Sequence, residues 1–162
     1  MKVVWWIAIA IIGIALALVI AGQLGLLRGS VPQDLGVKDG KLKPPARTPN
    51  SVSSQADQYP DNPQAAYARI DALHYSGDGQ AALAKLAQLL AAQDRTVIVQ
   101  QTSDYLYAQC TTALLHFTDD VEFWLNSDKQ QIEVRSASRV GRKDFNVNRE
   151  RIEALRVQLA QP

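Results

Sequence analysis

The sequence is poor in the residues that build disulfides and metal sites. Its 162 residues include one cysteine and two histidines. A single cysteine excludes an intramolecular disulfide and a multi-cysteine metal site, and two histidines argue against a histidine-rich one. The sequence also lacks the G-x-S-x-G signature of an activated serine, which disfavours a serine hydrolase. We therefore predict no metal and no cofactor.

Charge is scarce at the amino end and balanced elsewhere. The first 27 residues carry one charged side chain, Lys2. The remaining 135 residues hold 16 basic and 16 acidic side chains, so their net charge is zero. A nucleic-acid-binding domain normally has a basic excess. We therefore predict no nucleic-acid partner.

Residues 3–27 form one long apolar run in which Gln23 is the only polar side chain. About 20 apolar residues suffice to span a bilayer as a helix. Two tryptophans stand near its amino end, where an aromatic belt would lie, and Arg28 follows its other end. A cleaved signal peptide is the alternative, but the run is long for one. We predict that residues 1–28 form a single-pass anchor (or an uncleaved signal) in a bacterial inner membrane.

The charges that flank this run leave its orientation open. Counted over a wide window, Arg28, Lys38, Lys41 and Lys43 favour a cytoplasmic position for the rest of the chain. Counted over the first few residues alone, Lys2 favours the opposite orientation.

Residues 29–64 are interrupted by helix- and strand-breaking residues. These are Pro32, Gly36, Gly40, Pro44, Pro45, Pro49, Pro60 and Pro63. Such spacing excludes a long helix or a central strand. We predict a linker that leaves the membrane, with an ordered loop around residues 49–54 that packs on the following domain.

Residues 65–162 are predicted to form an α+β domain. The periodic segments are helices over 80–93 and 147–160 and strands over 95–101, 104–112, 119–126 and 130–137. No helix-length segment separates the strands, so we predict a four-stranded antiparallel sheet flanked by two helices, which cover its apolar face. Residues 65–75 fit either a short helix or an edge strand.

The first candidate site is an acidic cluster of Asp119, Asp120 and Glu122. Grouped carboxylates can perform acid–base chemistry or hold a cation. Alternatively, they belong to a solvated strand face and have cross-strand partners. If the hairpin turn covers residues 127–130, Glu122 lies opposite Arg135 and pairs with it.

The second candidate site consists of arginines that precede the last predicted helix. Arg135, Arg139 and Arg142 are interleaved with serines and a glycine. Helix amino ends and arginine side chains suit an anion such as a phosphate. Together with Asn50 and Ser53 of the ordered loop, these arginines are the candidate anion or ligand contacts. The alternative is that Arg139 or Arg142 forms salt bridges with nearby aspartates.

Four blocks of the sequence resemble a known family. They are LGVKDGKL (35–42), PNSVSSQ (49–55), DDVEFW (119–124) and VRSASRVGRKDFNVNR (134–149). These blocks are similar to signature segments of the domain of unknown function family 1499, and the resemblance covers about residues 35–159. The family has no established activity, so the resemblance gives this chain no catalytic residues. It does imply a protein of the cell envelope.

The resemblance also bears on orientation. Family members often carry cysteines at the positions of Pro45 and Ser51, where this chain has none. The resemblance thus implies a short disulfide in relatives and an oxidising compartment. We therefore predict that the domain faces the periplasm.

Two functions are compatible with these features. The first is a non-catalytic envelope module that binds a lipid, a small hydrophobic ligand or a partner protein. The alternative is an enzyme acting on an anionic envelope substrate, with Arg139 and Arg142 as a clamp and a carboxylate of the acidic cluster as base. The first is favoured because the sequence carries no catalytic triad motif, and a simple Glu122–Arg135 pair would weaken the second.

Overall fold

The chain forms one long apolar helix followed by an α+β domain, as the sequence predicts. The computed structural model describes residues 2–161. In chain order the elements are helix α1 (Lys2–Gln23), strand β1 (Ser51–Ser53), helix α2 (Ala65–Ala68), strand β2 (Leu73–His74), helix α3 (Gly79–Ala91), strands β3 (Thr96–Gln101), β4 (Tyr105–Thr111), β5 (Thr118–Asn126) and β6 (Gln131–Ser138), and helix α4 (Val147–Leu159). The two long helices and four long strands of the domain lie within two residues of their predicted bounds.

The sheet has six strands rather than the predicted four. Its order is β1-β6-β5-β4-β3, and β2 pairs with β6 further along the edge that β1 occupies. All pairings are antiparallel. Strands β1 and β2 are three and two residues long, which is too short for alternation to indicate a strand. The ambiguous segment 65–75 contains both a helix, α2, and a strand, β2.

The inner face of the sheet is apolar, and α3 and α4 cover it. The core includes Val121, Phe123, Leu125, Ile132 and Val134 from the sheet, Leu83, Leu86 and Leu90 from α3, and Ile152 and Leu155 from α4. The α3 leucines fall at i, i+3 and i+7, which places them on one side of the helix. The carboxylate of Asp78 caps α3 by accepting the main-chain N–H of Gln80 at 2.8 Å.

The outer face of the sheet is covered by residues 35–44, which we call the covering segment. Leu42 is only 1% exposed and packs with Tyr105 and Tyr107 of β4. The Gln55 side chain holds this segment in place, because its Oε1 accepts the Leu42 N–H at 2.8 Å and its Nε2 donates to the Gly40 carbonyl at 3.0 Å. Around Tyr105, Tyr107 and Trp124 the outer face therefore meets protein rather than water, whereas Val97 at the β3 edge is 61% exposed.

Helix α1 is long and apolar enough to cross a membrane, a property that it shares with signal sequences. Its buried residue is Gly22, where a Cβ would lie 2.6 Å from the carbonyl oxygen of Leu115. Next to it, Gln23 Nε2 donates to the Leu114 carbonyl at 2.9 Å. The carboxyl end of the helix is therefore held against the loop between β4 and β5.

Replacing Gly22 with alanine should loosen this contact, because the new Cβ has no room beside Leu115. Gly13→Ala in the same helix is the matched control, since nothing lies within 4 Å of its Cβ position. Hydrogen exchange of the full-length protein in nanodiscs measures the effect. We expect amides of residues 113–117 to exchange about tenfold faster in Gly22→Ala only. Equal exchange in the two variants would contradict a close helix–loop contact.

Candidate functional site

Glu122 lies at the centre of the outer face, directly opposite Arg135, in the register that the hairpin alternation predicts. One carboxylate oxygen accepts the Tyr105 hydroxyl and the Gly36 N–H, both at 2.8 Å. The other accepts Arg135 Nη1 at 3.1 Å. Glu122 is 0% exposed. Burial and then the neighbouring Glu122 charge raise the pKa of Tyr105, so its hydroxyl stays protonated and able to donate.

Asp120 forms a second buried pair on the same face, two residues along β5. Arg139 forms a bidentate salt bridge with it: Nε donates to Oδ2 at 2.9 Å, and Nη2 donates to Oδ1 at 2.7 Å. The Tyr107 hydroxyl also donates to Oδ1, at 2.5 Å, and receives a bond from Gln109 Nε2 at 2.8 Å. Burial, and then the hydrogen bond to Asp120, raise the pKa of Tyr107.

These contacts correct the expectation of a solvated strand face. Glu122 is buried with the Gly36 N–H of the covering segment bonded to it, and Asp120 is buried between Arg139 and Tyr107. A general base must reach the proton that it removes. Here the oxygens of both carboxylates already accept hydrogen bonds from the chain's own arginines, tyrosines and backbone. The arrangement suits a structural role, since a buried charge requires a partner.

Asp119 points to the inner face and belongs to a different polar cluster. Arg151 of α4 donates to it at 2.7 Å, and the same guanidinium bonds Ser136 and Asn148, both at 2.9 Å. Asn148 is 0% exposed and also donates to the Asn50 carbonyl at 3.2 Å. The three acidic residues that are neighbours in sequence thus lie on two faces of the sheet and form no single site.

The amino end of α4 is occupied by the chain's own carboxylate. Asp144 accepts the main-chain N–H groups of Asn146 and Asn148 at 3.3 Å each, and the Tyr67 hydroxyl at 2.6 Å. The anion that the sequence predicts at this helix end is therefore supplied internally. Burial raises the pKa of Asp144, but these hydrogen bonds outweigh it, and the pKa lies below its ordinary value. Burial, and then Asp144, raise the pKa of Tyr67 to about 12.

The remaining candidate contacts are spread over the domain. Asn50 Nδ2 donates to the carbonyls of Gly141 (2.8 Å) and Ser138 (3.3 Å), so it fixes the turn before α4. Ser53, the last residue of β1, is bonded within the chain: its Oγ accepts the Gln55 N–H at 3.2 Å. Arg142 is exposed on the turn, where Gly141 adopts a φ of 92° that favours glycine.

Arg135 and Arg139 do share one open cleft, of about 410 Å³, with Asp120. Lys43 and Arg47 stand at its rim, together with Asp34, which Lys43 binds at 2.5 Å. Because Arg135 and Arg139 are each paired with a buried carboxylate and Lys43 is paired with Asp34, the positive charge left for a ligand comes from Arg47. The arrangement offers anion binding, and its one exposed carboxylate, Asp34, is held in a salt bridge with Lys43.

Sequence reasoning missed Arg151, Asn148 and Tyr67. A signal for the first two was present: Asp144, Asn148 and Arg151 recur at i, i+4 and i+7, a polar stripe beside the apolar stripe of α4. Tyr67 lies 77 residues from its partner Asp144, and no local pattern connects them.

A family model described as protein of unknown function (DUF1499) matches residues 41–159, which is 119 of the 162 residues. It covers both buried outer pairs and the inner cluster. The comparison with curated proteins and the comparison with solved structures each found no match.

Replacing Glu122 with alanine should lower the free energy of unfolding by about 3–5 kcal/mol, because Arg135 is left buried without its partner. The double variant Glu122→Leu/Arg135→Met should recover the part of this loss that comes from the unpaired Arg135, whereas the Tyr105 hydroxyl and the Gly36 N–H stay without an acceptor. Glu153→Ala is the matched control: its pair with Arg156 is exposed and contributes less than about 1 kcal/mol. Urea unfolding of the full-length protein, followed by tryptophan fluorescence, measures all three. A Glu122→Ala loss no larger than that of the control would refute the structural role.

Tyr67→Phe removes a hydrogen bond to Asp144 and should cost about 1–3 kcal/mol at neutral pH. Because the folded pKa of Asp144 is lowered, its stabilisation is fully present above the unfolded pKa and is lost as the pH falls through the folded pKa. The deficit of the variant should therefore shrink below about pH 4. Urea unfolding at a series of pH values tests this. Tyr75→Phe, whose hydroxyl has no hydrogen-bond partner among residues 2–161, is the control; a pH-independent Tyr67→Phe deficit would contradict the assignment.

Proposed function

The chain belongs to the DUF1499 family, whose function is unknown, and we propose that it is a non-catalytic binding module anchored in a bacterial inner membrane. Its ligand is a lipid or an envelope partner protein. The observation that carries the proposal is that Asp120 and Glu122 have their oxygens occupied by neighbouring side chains and backbone. The carboxylates that an enzyme would need are thus committed to the fold.

The open surfaces also favour binding over chemistry. The cleft beside Arg135 and Arg139 carries its unpaired positive charge on Arg47, which can hold a ligand, while the neighbouring Asp34 and Lys43 neutralise each other. The apolar side chains between the sheet and its helices fill the core, including Phe123 and Leu106 at 0% exposed. A small hydrophobic ligand is therefore a weaker candidate than a lipid headgroup or a protein surface.

We place the domain on the periplasmic side. Ser51 Oγ accepts the Ala46 N–H at 2.8 Å, so a hydrogen bond closes the loop in which the family resemblance implies a cysteine pair. The sole cysteine, Cys110, is buried, and burial raises the pKa of its thiol, which keeps it unreactive in an oxidising compartment.

Topology labelling tests the anchored, periplasmic arrangement. Asp61→Cys adds an exposed thiol to a chain whose own thiol is buried. In intact spheroplasts we expect a membrane-impermeant maleimide to label Asp61→Cys and not the wild-type chain. The labelled protein should stay in the membrane after alkaline carbonate extraction and retain its full-length mass.

Labelling only after lysis would overturn the periplasmic placement. A soluble product shortened at its amino end would overturn the anchor and identify residues 1–28 as a cleaved signal. Turnover of an anionic envelope substrate that Glu122→Gln abolishes, with stability retained, would restore the enzyme hypothesis.

A further inference from the structure

A second cleft lies where α1 meets the domain. Its volume is about 560 Å³, which is within the usual range of ligand sites. Gly25 and Arg28 line it from the turns after α1, and Arg95 lines it from the residue before β3. Strands β3, β4 and β5 and Arg139, which follows β6, also contribute to its lining. We call it the membrane-proximal cleft.

The membrane-proximal cleft is basic. Within residues 2–161, the side chains that line it include Arg28, Arg95 and Arg139 and no aspartate or glutamate. Arg139 is neutralised by Asp120, at 2.7 Å. Arg28 is exposed. The distance from Arg95 Nη1 to Asp94 Oδ2 is 3.8 Å, which is too long for a hydrogen bond. Two arginines therefore bring positive charge to this cleft that no tightly held carboxylate offsets.

Two residues that line this cleft each have a buried side-chain polar atom that lacks a partner within residues 2–161. The two atoms are Thr118 Oγ1 and His116 Nδ1. Thr118 is 2% exposed, so its hydroxyl has lost water without gaining a hydrogen bond from the protein. Such a group costs about 1–3 kcal/mol unless something satisfies it. A hydroxyl and an imidazole beside two arginines form a donor set that suits the oxygens of a phosphate.

The position of the cleft indicates where that phosphate comes from. Arg28 follows the end of α1 by only five residues, and the intervening Leu24 and Leu26 are exposed at 71% and 73%. Leu114, on the loop that holds Gly22 and Gln23, is also 61% exposed. Exposed leucines surrounding the end of an apolar helix suit the boundary of a bilayer, and arginines just beyond them suit its headgroups.

We propose that the membrane-proximal cleft binds the phosphate of an anionic phospholipid in the leaflet next to the domain. Arg28 and Arg95 contact the phosphate oxygens, and Thr118 donates its hydroxyl to one of them. The site rests on the proposed function in one respect: α1 must lie in the membrane. The proposed function leaves open a lipid or a protein as ligand, and this site narrows the choice to an anionic lipid headgroup.

Native mass spectrometry of the full-length protein in detergent tests this site. The probes are phosphatidylglycerol, phosphatidylcholine with the same acyl chains, and inorganic phosphate. We expect phosphatidylglycerol to bind the wild-type chain more tightly than phosphatidylcholine. Arg28→Gln/Arg95→Gln should weaken phosphatidylglycerol binding by about tenfold or more and remove the preference between the two lipids.

Two further variants separate a lipid site from general effects. Arg69→Gln/Lys129→Gln removes the same number of charges from exposed positions outside the cleft and should leave lipid binding unchanged. Thr118→Val removes the unpartnered hydroxyl while keeping the shape of the side chain. It should weaken phosphatidylglycerol binding without lowering Tm, a result that a purely structural threonine would not give.

Three results would overturn the inference. The first is unchanged phosphatidylglycerol binding in both cleft variants. The second is an equal loss in the Arg69→Gln/Lys129→Gln control. The third is competition by inorganic phosphate at equal concentration, which would identify a free phosphate as the ligand. None of these affects the labelling and extraction results on which the proposed function depends, so the two proposals can fail separately.

Discussion

Two buried arginine–carboxylate pairs on the outer face of the sheet constrain the rest of the domain. Glu122 with Arg135 joins β5 to β6, and Asp120 with Arg139 joins β5 to the residue that follows β6, so each pair is satisfied only when the two strands are in their observed register. A slip of one residue would turn these charges toward the apolar core. The pairs therefore contribute to specifying one arrangement of the sheet, whatever their net effect on stability.

The same pairs explain why the covering segment is ordered although it forms no helix and no named strand. Gly36 supplies a backbone N–H to Glu122, and the Pro44 carbonyl accepts Arg135 Nε at 3.4 Å. Two tyrosines of β4 bridge the carboxylates to the same layer. The segment and the charges thus depend on each other: the charges attach the segment, and the segment excludes water from the charges, which strengthens their attraction.

The sequence predicts the elements whose signal is local. The alternation of Val121, Phe123 and Leu125 with polar residues identifies β5 and, through the turn, the opposition of Glu122 and Arg135. Alternation also shows that one face is apolar and the other polar. It does not show whether the polar face meets water or another part of the chain, because both give the same pattern. Glu122 is bonded to the covering segment by Gly36, 86 positions earlier, and the pairing of β1 with β6 is equally distant in sequence.

The close approach of Gly22 to Leu115 has a consequence for how the protein searches its surroundings. A domain on a long flexible linker sweeps a hemisphere above the bilayer and meets partners at many heights and angles. With α1 in a bilayer and its last turn held against the β4–β5 loop, the domain lies next to the membrane surface. Its search is then a lateral one, within the layer beside the bilayer. Partners attached to the same membrane are therefore the ones that it meets most often.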